Sequence, residues 1–174
     1  MTLKFDWEVW IEDESKCRQD FESYVKKGLI KIEKETESLS KSHLNKSDYN
    51  LDFINFLLEN KKFYDWVITG CYYAIYRASL SLITKSGFSS KKHNSTLCAL
   101  IKLYYHDKKS INKEDIELVA RSSINNEEVS YFIGAKEKRE TASYGISEEF
   151  TKTEAEKLKE QTILFVNKVK EILR

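Results

Sequence analysis

The chain has 174 residues, enough for one domain with a sizeable core and short for two. With no proline and five glycines it lacks the turn residues that a sandwich or barrel of many short strands needs, and an aromatic content of 13% argues against disorder. Lys+Arg 29 against Asp+Glu 28 leaves a net charge of +1, so no global field draws nucleic acid or membrane, and any polyanion site must be local.

The opening MTLKFDWEVWIEDES is aromatic and acidic, unlike a cleavable signal peptide. No apolar run approaches the ~20 residues that span a bilayer. A cytoplasmic location without a membrane partner is expected. Cys17, Cys71 and Cys98 are far apart in sequence and form no C-x-x-C, so they read as reduced thiols, Cys71 as core packing. Trp7, Trp10 and Ile11 either pack on the rest of the fold or extend a dimer contact.

Cys17, Phe21, Tyr24, Val25, Gly28 and Ile32 recur at three and four, which predicts a first long helix near residues 14–37. Ser38 to Asn50 is polar and predicts a loop, followed by a short helical segment from Asp52 to Asn60. From Tyr64 to Thr84 the apolar set Tyr64, Val67, Ile68, Cys71, Ile75, Ala78 and Leu82 predicts a helix, and Tyr72, Tyr76, Leu80 and Ile83 add a second stripe, so this helix should be central. Gly87 stands where its C-terminal cap is expected. Asn94 or Ser95 can cap the next helix, whose inward residues are Leu97, Leu100, Ile101, Tyr104 and Tyr105. A short helix over Asn112 to Arg121 follows. Another runs from Asn125 or Asn126 towards Tyr144, with Gly145 ending it, and a last one covers Thr153 to Leu173. The prediction is an all-α, up-and-down helical bundle of four to five main helices plus short N-terminal helical segments, in a single domain over 1–174.

Walker, Rossmann and nucleophile-elbow glycine motifs are absent. His43, His93 and His106 have no His or Glu at helical ligand spacing, so neither a metal site nor a cofactor is expected. Three polar features remain. Arg139 falls between Phe132 and Ala135 on a helical wheel, where a guanidinium needs a carboxylate or a ligand. Lys91, Lys92 and His93 precede a helix N-terminus whose free N–H groups favour an anion; they read either as a phosphate site with His93 as proton shuttle, or as a solvated loop with His93 capping or packing. Trp66, Gly70, Tyr73, Arg77, Ser81 and Thr84 form a mixed face suited to a partner helix or second subunit, with Trp66, Tyr73 and Arg77 as its interface residues.

The series Tyr72-Tyr73-Ala74-Ile75-Tyr76-Arg77-Ala78, then Gly87 to His93, then Arg139-Glu140-Thr141-Ala142-Ser143-Tyr144 resembles the HEPN domain family, in the branch with a YYA helix, a K-x-H loop and an R-x-x-A-x-Y motif. The resemblance covers residues 60–172 and leaves 1–50 as an N-terminal extension and first helix. It implies a homodimeric bundle that binds RNA or a nucleotide, as part of a toxin–antitoxin or nucleotidyltransferase pair. The implied site is Arg139, His93 and Tyr144, with Lys91, Lys92 and Arg139 holding phosphate.

The family's catalytic branch pairs an Arg with a His after four to six intervening residues and cuts RNA without a metal. Here Tyr144, Gly145 and Ile146 occupy those positions, and Ser143 replaces the usual Asp. Enzymatic activity is therefore open. The alternatives are a metal-independent ribonuclease using His93 with Arg139, and a non-catalytic helical interaction module.

Overall fold

The structure is a computed structural model that describes residues 6–61, 63–122 and 151–174. The predicted helix from Asn125 towards Tyr144, and with it Arg139 and Tyr144, lies outside the described residues. In chain order the elements are α1 (Asp6–Glu12), α2 (Glu14–Lys26), β1 (Ile30–Ile32), α3 (Thr36–Glu59), α4 (Tyr64–Lys85), β2 (Phe88–Ser90), α5 (His93–Leu100) continuing as a π-helix over Ile101–Asp107, α6 (113–122) and α7 (Lys152–Ile172). The all-α bundle is what the sequence predicts; to it the described residues add a two-stranded antiparallel ribbon pairing Ile30 with Ser90 and Ile32 with Phe88.

α4 is the central element. Thirteen of its residues are buried, among them Val67, Cys71, Ile75, Ala78 and Leu82, and it belongs to both core clusters of the bundle. On one side it packs along α3, on another against α7. The α7 helix opens on a capping box, Thr151 accepting from the Glu154 N–H and the Glu154 carboxylate accepting from the Thr151 N–H. It lays Ala155, Leu158, Phe165, Val166 and Val169 on the core.

Two sequence expectations are corrected here. The helix predicted over 14–37 ends at Lys26: Gly28 adopts φ +69, a left-handed turn that a Cβ would strain, and the chain then extends into β1. The loop predicted over Ser38 to Asn50 is the first half of the 24-residue α3, which also absorbs the segment predicted from Asp52. Ser40 and Ser47 occupy core positions in it. Each hydroxyl donates to an α4 carbonyl, of Ser81 and Ala74 respectively, both at 2.8 Å. The serines that look like loop residues are the contacts that bring α3 close to α4.

The N-terminal helices pack on the bundle, with Trp7 and Ile11 half-buried against its core. Trp10 is buried and its indole N–H donates to Asp20 at 2.8 Å, while His106 Nε2 meets the Trp10 carbonyl at 2.7 Å. Cys17 and Cys98, 81 residues apart in sequence, sit together in the core, each thiol on the other's carbonyl at 3.8 and 3.7 Å.

Candidate functional site

His93 is the first residue of α5, two positions earlier than the predicted caps allow. The N-cap is Lys92, whose side chain caps nothing. Ser95 and Thr96 instead turn their hydroxyls back onto the Lys92 carbonyl at 3.0 and 2.9 Å. Ser90, held by the β1–β2 ribbon, bonds the Ser95 hydroxyl at 2.7 Å. Gly87, at φ +88, closes α4 by donating to the Thr84 carbonyl at 2.9 Å, as its predicted capping place requires. The turn from Gly87 to His93 is thus pinned at both ends, and the side chains of Lys91 and Lys92 stand exposed beside the half-buried His93.

The wall of the site comes from α4. Tyr72 and Tyr76, four residues apart on one helical face, stack with centroids 5.8 Å apart, and the His93 ring lies 6.1 Å from the first and 6.2 Å from the second. Tyr73 joins at 5.1 Å from Tyr72, so the three tyrosines form one aromatic group although Tyr73 points outward. His93 Nδ1 is buried without a hydrogen-bond partner among the described residues. Burial pushes the imidazole down to a pKa of about 4, so it is neutral at pH 7. A neutral imidazole has one N–H donor and one bare nitrogen acceptor, so the ring can exchange one directed hydrogen bond with a phosphate or ribose oxygen. As a general base at neutral pH it is weak, because its pKa is far below the working pH.

The predicted interface residues divide. Trp66 and Tyr73 are exposed on α4. Arg77 is half-buried and donates to His43 Nδ1 at 3.4 Å; burial, then the adjacent guanidinium, pushes the His43 pKa down. On the mixed face, Gly70, Ser81 and Thr84 are buried, and the partner helix covering Gly70 and Ser81 is the chain's own α3. Sequence reasoning brought Lys91, Lys92 and His93 together through their adjacency. It missed the tyrosine wall and the Arg77–His43 contact, which depend on how α4 meets α5 and α3.

Other chemistry finds less support. Burial pushes the Cys71 thiol up to about 12, and the contact with Cys17, then burial, pushes Cys98 up as well, so neither presents a thiolate nucleophile at neutral pH. Among the described residues no group of three His, Cys, Asp or Glu is placed to hold a metal ion, and no helix is long and apolar enough to cross a membrane. A cavity of about 600 Å³ between α4, α6 and α7 is lined, among the described residues, by Glu114, Glu117 and Glu154 together with Arg121 and Lys157.

The arrangement is that of a helical bundle with a basic, histidine-bearing turn at the head of one helix and tyrosines behind it. The HEPN domain family model matches residues 40–172, most of the chain, and the protein belongs to the HEPN family. The match begins inside α3, earlier than residue 60, where the motifs alone place it. A Methanocaldococcus jannaschii protein named "Putative toxin MJ0142" is 29% identical over 116 residues, 67% of this chain and 69% of that one.

Proposed function

We propose that this HEPN protein binds RNA or a nucleotide at the head of α5, as a toxin-like cytoplasmic component paired with a small nucleotidyltransferase-type partner. The observation that carries the reading is the placement of His93: neutral, fixed against Tyr72 and Tyr76, and flanked by the free ammonium groups of Lys91 and Lys92. The lysines supply attraction for phosphate, the first-turn N–H groups of α5 add to it, and the imidazole adds one directed hydrogen bond. Arg139 and Tyr144, from the family motif, are proposed to complete the phosphate contacts. The likeness to a protein named a toxin supports the toxin side of the pair.

The second reading, a metal-independent ribonuclease using His93 with Arg139, needs His93 to take a proton near neutral pH. The depressed pKa favours binding over cleavage.

The test is an anisotropy titration of the full chain with a short single-stranded oligoribonucleotide in EDTA, with the RNA recovered and sized afterwards. Binding with intact RNA is expected. Joint Lys91→Ala/Lys92→Ala substitution should weaken it about tenfold and flatten the salt dependence by roughly 1.4 in log–log slope, two single-strand phosphate contacts' worth. His93→Ala and Arg139→Ala should each weaken it in the same direction. RNA cleavage that disappears in His93→Ala would select the ribonuclease reading, and absence of binding by the wild-type chain contradicts both.

A further inference from the structure

The β1–β2 ribbon and its flanks carry more positive charge than the two lysines at the head of α5. Residues 26–32 and 88–93 hold five lysines (Lys26, Lys27, Lys31, Lys91 and Lys92) and no aspartate or glutamate, in a chain whose net charge is +1. All five are exposed. None forms an ion pair among the described residues, whereas Lys16, Lys85, Lys102, Lys152, Lys168 and Lys170 each find a carboxylate.

The fold holds these lysines together. α2 ends in a Schellman motif: the Gly28 N–H donates to the Val25 carbonyl at 3.0 Å and the Leu29 N–H to the Tyr24 carbonyl at 2.9 Å, which sets Lys26 and Lys27 at the corner where the chain turns into β1. The pairing of Ile30 with Ser90 brings this corner beside Lys91. Ile30 and Ser90 are buried, so Lys31 and Ser89, one step along each strand, stand on the outer face. The backbone is still extended at Lys92, φ −115 and ψ 141, and Lys91, two residues after Ser89, returns to the face of Lys31. The two are diagonal neighbours across the ribbon, ~7–8 Å apart. Like charges so placed repel one another in the free protein. The negative end of the α2 dipole accounts for part of Lys26 and Lys27, and for none of Lys31, Lys91 and Lys92. Few carboxylates answer them. Asp20 is held by Lys16 and the Trp10 indole, which leaves Asp6 and Glu22 on this side. The far end of the ribbon is different, with Glu33 and Glu35 around Lys34, so the unopposed charge lies at the end that adjoins His93.

We infer that the outer face of the β1–β2 ribbon and the α2 corner form a phosphate track that leads the backbone of a single-stranded RNA to His93, with Lys26, Lys27 and Lys31 holding phosphates beyond those at Lys91 and Lys92. The inference rests on the RNA reading of the His93 turn and extends it. Residues 26–31 precede the family match, which begins at residue 40, so the N-terminal segment adds these contacts to the HEPN core. RNA suits the track better than an anionic lipid surface does. The track runs into the turn backed by Tyr72 and Tyr76, and the large apolar side chain it exposes is Ile32, too little to enter a bilayer.

Anisotropy titrations of the full chain with single-stranded oligoribonucleotides of about 4 and about 12 nucleotides test it. The wild-type chain is expected to bind the longer RNA about tenfold or more tightly than the shorter. In Lys26→Gln/Lys27→Gln/Lys31→Gln most of that gain should vanish, and the log–log salt slope for the longer RNA should flatten by about 2, three single-strand phosphate contacts' worth. Thermal unfolding of the triple variant should be unchanged or shifted upwards, because the substitutions remove repulsion; a merely structural role for these lysines would shift it downwards. Lys31→Glu alone should weaken the longer RNA in the same direction. A wild-type chain that binds the short RNA and gains nothing from length overturns the track and leaves the His93 reading standing, as does a triple variant with the wild-type salt slope. A wild-type chain that binds neither RNA overturns both. Pelleting with phosphatidylserine vesicles that is lost in the triple variant, by a chain that ignores the longer RNA, would assign the lysines to a lipid surface and overturn the inference.

Discussion

Gly70→Leu is expected to destabilise the fold by about 3 kcal/mol or more, a severe case of overpacking. A Cβ at this position would stand 2.8 Å from Ile54 Cγ1, and a further contact waits at 3.6 Å on Phe53 Cδ1. Ile54 is fully buried, and its Cγ1 is a branch atom held close to the α3 backbone, so a rotamer change does not clear the space. The helices would have to part. The Ser47–Ala74 and Ser40–Ser81 hydrogen bonds on the same seam resist this. Gly70→Ala should lie between the two, because alanine recovers about 1 kcal/mol of helix propensity against the clash. Urea unfolding monitored by circular dichroism measures both; a leucine variant as stable as wild type would show that α3 does not approach α4 this closely.

Acid is expected to cost about 3 kcal/mol through His93 alone. Its pKa is pushed from 6.5 down to about 4 in the folded chain. Above pH 6.5 the ring is neutral in both states and contributes no pH dependence. As the pH falls from 6.5 the unfolded chain takes up a proton that the folded chain refuses, so stability declines through this window and the loss is complete below about pH 4. His43, pushed down by burial and by Arg77, acts in the same direction. Asp20 acts lower: burial pushes it up, but the hydrogen bonds from Lys16 and Trp10 hold its carboxyl below the ordinary value, so its contribution is lost only as the pH falls through that lowered pKa. His93→Phe keeps a ring beside Tyr72 and Tyr76 and removes the titration. Unfolding free energies measured from about pH 7 to 4.5 should therefore show a shallower slope in the variant. Equal slopes would mean that His93 titrates freely.

Where apolar residues alone define an element, the sequence shows it. The stripes of α4 and α7 are dense and periodic, and both helices lie within one or two residues of their predicted ends. The hairpin partner α3 is hidden because Ser40 and Ser47 fill core positions by donating to α4 carbonyls, and a hydroxyl in the core looks like a hydroxyl in a loop. The strand β1 depends on a partner some sixty residues later, and three residues carry no period of their own. The same α3 explains the mixed face read on α4: Gly70 does face a helix, but an internal one. Of the candidate site, the run Lys91-Lys92-His93 is legible because its members are neighbours. The stacking of His93 on Tyr72 and Tyr76 is set by the approach of α5 to α4, which local pattern does not encode.

The most direct measurement is NMR of the His93 imidazole in the full chain, titrated with acid and then with a short oligoribonucleotide at pH 7 in EDTA. A ring that stays neutral to below about pH 5, whose resonances move on adding RNA that is recovered uncut, is the predicted result. A ring that protonates at its ordinary pKa and ignores the RNA would contradict the account.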